Sequence, residues 1–312
     1  MISRVGDEQM GRFLLQTLQR EGCDTQAVQI DAERLTALVL LGLKDRDTFP
    51  LLFYRENCAD MAIDAAAISE DFIAQCRALL ITGTHLSTPT VRAASQAALG
   101  FAARHGVTRV LDIDYRPVLW GLTGRGAGEN RYVTNEAVTA QLQQMLPQFD
   151  LLIGTEEEFA IAGGVPGDLI ATLRRVREVT PAALVVKLGA MGCAYIPGAV
   201  PQRIDDALTV RGERVEVMNV LGAGDAPLVT DRPVLRYGLD KSQVGGVRTG
   251  RAQRTLEYGE NALQHARSRS VLRILLAQFA DTMVIVLLVD NDPVVPALPI
   301  CSVPALMVVA PV

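Results

Sequence analysis

The chain has 312 residues, 49% of them hydrophobic and 21% charged, enough for one large core or two modest ones and unlike a disordered chain. A formal net charge of -5 argues against a nucleic-acid surface, which needs clustered surplus Lys and Arg, and leaves small molecules as the expected partners. Cys23, Cys58, Cys76, Cys193 and Cys301 are scattered, odd in number and never in C-x-x-C spacing, so neither a disulfide framework nor a zinc site is indicated. Arg4, Asp7, Glu8 and Arg12 interrupt the first twenty residues, so no secretory signal is expected and the cytoplasm follows.

In chain order, Met1 to Asp7 reads as the end of a strand running into a helix over Glu8 to Arg20, with Met10, Phe13, Leu14 and Leu18 spaced to bury one face. Two β-like runs, Leu35 to Leu43 and Thr48 to Tyr54, flank Lys44-Asp45-Arg46-Asp47 as a hairpin would. A regular alternation then begins with a strand over Ala78 to Ile81 and a helix from Thr88-Pro89 to Gly106. It continues with a strand over Val107 to Ile113, a helix capped by Asn135 and running to about Leu146, and a strand over Leu151 to Ile153. A helix over Gly167 to Val179 and a strand over Leu184 to Lys187 complete it. This pattern predicts an α/β fold with a mostly parallel sheet covered on both faces, whose ligands bind beyond the strand C-termini.

Several charged or glycine-rich stretches fall at those strand ends. Asp112-Ile113-Asp114-Tyr115-Arg116-Pro117 places carboxylates and a guanidinium at a strand-loop junction, where Arg116 suits a carboxylate or phosphate, or a salt-bridged surface loop. Gly154-Thr155-Glu156-Glu157-Glu158 gathers three acids that repel unless a cation, naturally magnesium, or a helix N-terminus offsets them; an acidic first helical turn is the plainer alternative. Lys187-Leu188-Gly189-Ala190-Met191-Gly192 has glycines spaced to let backbone approach a nucleotide. Val215-Glu216-Val217 alternates like a strand and leads into Asn219-Val220-Leu221-Gly222-Ala223-Gly224-Asp225-Ala226. There the glycines permit a tight turn whose backbone N–H groups point outward, an anion site if a helix starts at that point. Asp225 beside such a site is better used as a base than as a ligand, although an ordinary helix-capping Asp has the same local sequence.

Taken together, these stretches resemble the PfkB family of carbohydrate kinases. The resemblance implies a ribokinase-like three-layer sandwich with a small β lid, through which a homo-oligomer is possible. It implies ATP and magnesium as cofactors and a small-molecule sugar acid as acceptor, with neither nucleic acid nor membrane as partner. Gly222, Ala223 and Gly224 are then the anion hole and Asp225 the catalytic base. Gly154 to Glu157 is similar to the N-x-x-E motif, with Gly154 where Asn is usual, so Glu157 is the acid that assists magnesium indirectly. Lys187, Gly189 and Gly192 belong to the segment lining the nucleotide. Within the family, Phe53 to Asp60 and Asp112 to Trp120 look most like the branch acting on 5-dehydro-2-deoxy-D-gluconate in myo-inositol catabolism, which makes Arg55, Asp114 and Arg116 substrate contacts.

The resemblance covers residues 1 to 226, a partial kinase domain, and is incomplete at both ends. The family's opening glycine-rich strand and Gly-Gly-Asn motif are not seen. After Ala226, Pro227 and Pro233 fall where a small-residue helix is usual, and residues 227 to 312 read as a divergent segment, frameshifted or fused. Asp290, Asn291, Asp292 and the later prolines interrupt its apolar runs, so no membrane span is expected. Alternatives to an active kinase of this branch are a catalytically defective remnant, a kinase of the 2-keto-3-deoxygluconate type, and a non-catalytic sugar- or nucleotide-binding protein.

Overall fold

The computed structural model describes residues 1–41, 51–126, 130 and 132–210. The chain opens with β1 (Ser3–Gly6) and α1 (Gln9–Arg20), followed by β2 (Val28–Asp31), which pairs parallel to β1. Glu8 caps α1, its carboxylate accepting from the Met10 and Gly11 amides. The buried face of α1 is Gly11, Leu14, Thr17 and Leu18, while Phe13, expected on that face, is exposed. The cause is close packing: a Cβ at Gly11 would run into the Gly6 carbonyl oxygen, so the helix turns its smallest residue toward β1.

The expected hairpin forms from β3 (Leu38–Leu41) and β4 (Leu51–Tyr54), antiparallel with Leu38 opposite Tyr54. Its link at 44–47 lies outside the described residues. Leu51 and Phe53 are buried on one face, whereas Leu38, Leu40 and Tyr54 stand exposed on the other.

After α2 (Glu70–Ala74), the alternation read from the sequence appears as β5 (Ala78–Thr82), α3 (Pro89–Arg104), β6 (Thr108–Asp112), α4 (Glu136–Met145) and β7 (Leu151–Thr155). It continues through α5 (Glu156–Gly163), α6 (Leu169–Val179), β8 (Ala183–Lys187), β9 (Cys193–Ile196) and β10 (Leu208–Val210). Asn135 caps α4 by accepting from the Val138 amide, as its position predicts. The six strands lie in the order β10-β9-β8-β7-β6-β5. β5 to β8 run parallel, and β9 and β10 add an antiparallel end.

The cross-strand row Leu111, Leu152 and Leu184 packs on Leu142 of α4, Phe159 of α5 and Leu173 and Val176 of α6 in one apolar core. On the opposite face Val110, Ile153 and Val185 are buried as well, so these central strands are apolar on both sides, as parallel strands require. A second cluster joins Ile63, Ile68 and Ile73 to the alanine face of α3 through Ala94, Ala98 and Ala102. Among the described residues, no helix is long and apolar enough to cross a membrane.

Candidate active site

Because β5 to β8 are parallel, their C-terminal ends share one edge of the sheet, and the polar residues that end the apolar runs meet there. Thr82 ends β5 in register with Asp112, which ends β6. Thr155 ends β7 in register with Lys187, which ends β8. The Lys187 ammonium donates to both carboxylate oxygens of Asp112, at 3.0 and 3.2 Å, and lies 3.9 Å from Oε2 of Glu158. Just past β6, the Arg116 guanidinium pairs with Oδ1 of Asp114 at 2.8 Å. One charged rim therefore contains Asp112, Asp114, Arg116, Glu158 and Lys187.

Each member is held by local structure. Glu158 sits on the first turn of α5 in a capping box: its carboxylate accepts from the Thr155 amide at 2.8 Å, and the Thr155 hydroxyl accepts from the Glu158 amide. Asp114 is buried and adopts φ 25°, a conformation that non-glycine residues rarely take and that persists only where the surroundings impose it. The Tyr115 hydroxyl donates to the Val133 carbonyl at 2.6 Å and anchors the same loop.

The electrostatics follow from burial among like charges. Burial pushes the Asp112 carboxyl above the ordinary carboxylate range against the pull of Lys187, and Glu158 and Asp114 push the same way. Burial works against the Lys187 ammonium, yet Asp112 and then Glu158 hold its pKa above the usual lysine value. Asp114, then Glu158, raise that of Arg116.

The structure brings Asp114, Arg116 and Lys187 into one charged rim and pairs Arg55 with Asp60. Arg55 donates through Nε to Oδ2 of Asp60 at 2.6 Å, and both side chains are almost wholly enclosed. Glu157 is exposed on the first turn of α5, between exposed Glu156 and buried Glu158. The acidic stretch at 156–158 is thus the first turn of a helix, the plainer of its two sequence readings, and one that leaves Glu157 accessible to solvent. Gly189 and Gly192, at φ 58° and 102°, form the turn between β8 and β9 that returns Leu188 N–H to the Gly192 carbonyl. Gly222, Ala223, Gly224 and Asp225 lie outside the described residues, as does the strand expected at 215–217.

Glycine at 154 has a packing reason, since a Cβ there would approach Cδ1 of Ile113 to 2.9 Å. Sequence reasoning gave no role to Asp60, named Glu158 only as one of three adjacent acids, and missed a buried polar group at the end of β5. In that group Thr82 and Thr84 share a hydroxyl contact of 2.8 Å, and both lie 3.3 Å from Nδ1 of His85. The signal was available in Thr82-Gly83-Thr84-His85, a polar run following an apolar strand, as at Asp112.

Among the described residues, no group of three or more His, Cys, Asp or Glu side chains is arranged to hold a metal ion. Glu157, exposed on the first turn of α5, is a carboxylate of the kind that could meet a hydrated divalent cation through water.

The family model described as pfkB family carbohydrate kinase matches residues 1–228. A second model, Cation transporter/ATPase, N-terminus, matches residues 238–289. The 5-dehydro-2-deoxygluconokinase of Geobacillus thermodenitrificans (strain NG80-2) is 37% identical over 159 residues, 51% of this chain and 44% of that protein. The protein of that name from Geobacillus kaustophilus (strain HTA426) is 33% identical over 195 residues, 61% of this chain and 55% of that one. The chain spans about half the length of the curated relatives it matches. Among solved structures, the PfkB protein from Polaromonas sp. JS666 is similar at TM-score 0.58 and 26% identity, over 73% of this chain and 69% of that one. The fructokinase with bound ATP from Xylella fastidiosa, at TM-score 0.60 and 18% identity over 73% and 65%, shares the ribokinase-like fold. With more than two thirds of its length matched by the model, the chain belongs to the pfkB family of carbohydrate kinases.

Proposed function

We propose that this chain phosphorylates a sugar acid from ATP in the cytoplasm, with 5-dehydro-2-deoxy-D-gluconate of myo-inositol catabolism as the acceptor. The observation that carries the reading is Arg116: a partly exposed guanidinium at the C-terminal edge of the sheet, paired with Asp114, where a carboxylate-bearing substrate has a bidentate partner. The names of the two Geobacillus relatives support the same acceptor.

Arg116 and Asp114 orient the acceptor in this reading, and Arg55 joins them only where its ion pair with Asp60 opens. Asp225 takes the proton from the acceptor's attacking hydroxyl, and the Gly222, Ala223 and Gly224 amides stabilise charge on the transferred phosphoryl group. The backbone of the Gly189–Gly192 turn lies along the nucleotide. Magnesium supplies neutralisation of phosphate charge when bound, and Glu157 would hold it through water. Arg116→Lys is the test of the carrying observation. It keeps the charge and loses the fork, so substrate KM should rise by the equivalent of about 1–3 kcal/mol with ATP KM unchanged. An unchanged substrate KM reduces Arg116 to a brace of its loop.

A second reading, the catalytically defective remnant, is favoured by one observation: the kinase model ends at residue 228 and a different family's model matches 238–289. A homo-oligomer through the lid is also proposed, because Leu38, Leu40 and Tyr54 share the exposed face of the β3–β4 hairpin. Leu40→Asp is expected to reduce the mass read by light scattering to that of a monomer. A wild-type chain that is already monomeric rules the interface out.

A further inference from the structure

Gly83 opens the short 3₁₀ turn Gly83–Leu86 that follows β5, and it is buried against the loop that follows β6. A Cβ on Gly83 would run into the carbonyl oxygen of Ile113, come within 3.0 Å of its carbonyl carbon and lie 3.6 Å from the Asp114 carbonyl oxygen. These three nearest atoms are all backbone, so no flexible side-chain end is there to give way.

Both partners are pinned from their other sides. Thr82 is in register with Asp112, its hydroxyl is 2.8 Å from that of Thr84, and Ser95 of α3 donates to the His85 carbonyl at 3.1 Å, so Gly83 cannot back away. The Ile113 amide donates to the Ile153 carbonyl at 2.8 Å, which holds that side of the residue to β7. The freedom left is rotation of the Ile113–Asp114 peptide plane, set by ψ of Ile113 and φ of Asp114. Asp114, at φ 25°, is thus the residue directly after the carbonyl that rests against Gly83. From there its carboxylate reaches Arg116 at 2.8 Å.

We propose that Gly83 is a positioning residue for the acceptor: its missing side chain admits the Ile113 carbonyl, which keeps Asp114 in its rarely populated conformation and so aims the Asp114–Arg116 pair. The proposal rests on the acceptor reading of Arg116 above and deepens it, because a residue with no side chain to offer sets the geometry of that site. A Cβ at 83 turns the peptide away, Asp114 relaxes toward negative φ, and its carboxylate no longer meets Arg116 in the same place.

The experiment uses the full chain with Gly83→Ala, Gly11→Ala, Asp114→Gly and the double variant Gly83→Ala/Asp114→Gly. Gly11 is the matched control, because a Cβ there would meet the Gly6 carbonyl as closely as one at Gly83 would meet that of Ile113, and it packs on the separate β1–β2 sheet. Gly83→Ala is expected to raise the KM for 5-dehydro-2-deoxy-D-gluconate about tenfold or more and to leave ATP KM unchanged, since a small misplacement of a positioning group is enough for such a loss. Gly11→Ala should lower the melting temperature and leave both KM values alone. An acceptor KM that is unchanged in Gly83→Ala, or raised equally in Gly11→Ala, overturns the proposal.

Melting without substrate gives a second readout that needs no activity. Glycine at 114 reaches either sign of φ, so the peptide can turn away from the new methyl group. The double variant should therefore melt well above the level at which the two single losses add. Additive losses, or a double variant that folds no better than Gly83→Ala, refute the link between Gly83 and Asp114. A wild-type chain that transfers phosphate to no sugar acid removes the acceptor reading instead, and the melting comparison still decides whether Gly83 sets Asp114.

Discussion

Asp225→Asn is expected to lower phosphoryl transfer roughly a hundredfold or more while leaving nucleotide affinity nearly unchanged. The glycines of Gly222-Ala223-Gly224-Asp225 permit a turn with outward N–H groups, which would suit an anion, and a carboxylate beside it would repel one. A carboxylate in that place contributes more as a proton acceptor for the attacking hydroxyl, and asparagine keeps its shape without its basicity. The loss should therefore appear in kcat, read by a coupled assay for ADP, and not in ATP binding read by calorimetry. Unchanged turnover in this variant removes Asp225 from the reaction.

Arg55→Met is expected to lower stability by about 3–5 kcal/mol in urea denaturation, the cost of leaving one partner of a buried ion pair alone. Arg55 Nε lies 2.6 Å from Asp60 Oδ2, with side chains 2% and 3% exposed, so water cannot replace the lost partner. Replacing both residues, as Arg55→Met/Asp60→Asn, should recover part of the loss because the uncompensated charge goes with its partner. The short span between them is shaped by Asn57 at φ 52°, whose side-chain oxygen accepts from Arg34. A loss below about 1 kcal/mol, the range of an exposed pair, shows that the pair is open to water in solution. Arg55 would then be available to the acceptor.

Much of the fold was legible because it is written in local periodicity. The alternation of apolar runs and amphipathic segments from Ala78 to Lys187 gives the parallel strands, and Asn135 and Pro89 mark helix starts by their own chemistry. What escaped was short or tertiary. β2 and β9 are only four residues long, and the antiparallel pairing of β9 and β10 depends on turns, not on composition. Phe13 has the right spacing for the core, yet Gly11 wins that face because β1 comes too close for anything larger.

The candidate site divides the same way. Asp112, Asp114 and Arg116 could be found because charges directly follow an apolar strand. Lys187 could be found from the glycines after it, but its partner could not, since Asp112 lies 75 residues away and only strand register brings them together. Arg55 reads as a substrate contact only through the family resemblance; its enclosure with Asp60 is a product of packing. Glu158 belongs to a run of three acids that sequence cannot tell apart, and the helix separates them by turning Glu158 inward and leaving Glu156 and Glu157 outside.

The most direct test is transfer of the γ-phosphoryl group from labelled ATP, by the full chain with magnesium, to 5-dehydro-2-deoxy-D-gluconate. The expected result is label in the sugar-acid phosphate, dependent on the acceptor and reduced strongly when a neutral hexose replaces it. A chain that melts cooperatively yet transfers no label to any sugar acid contradicts the account.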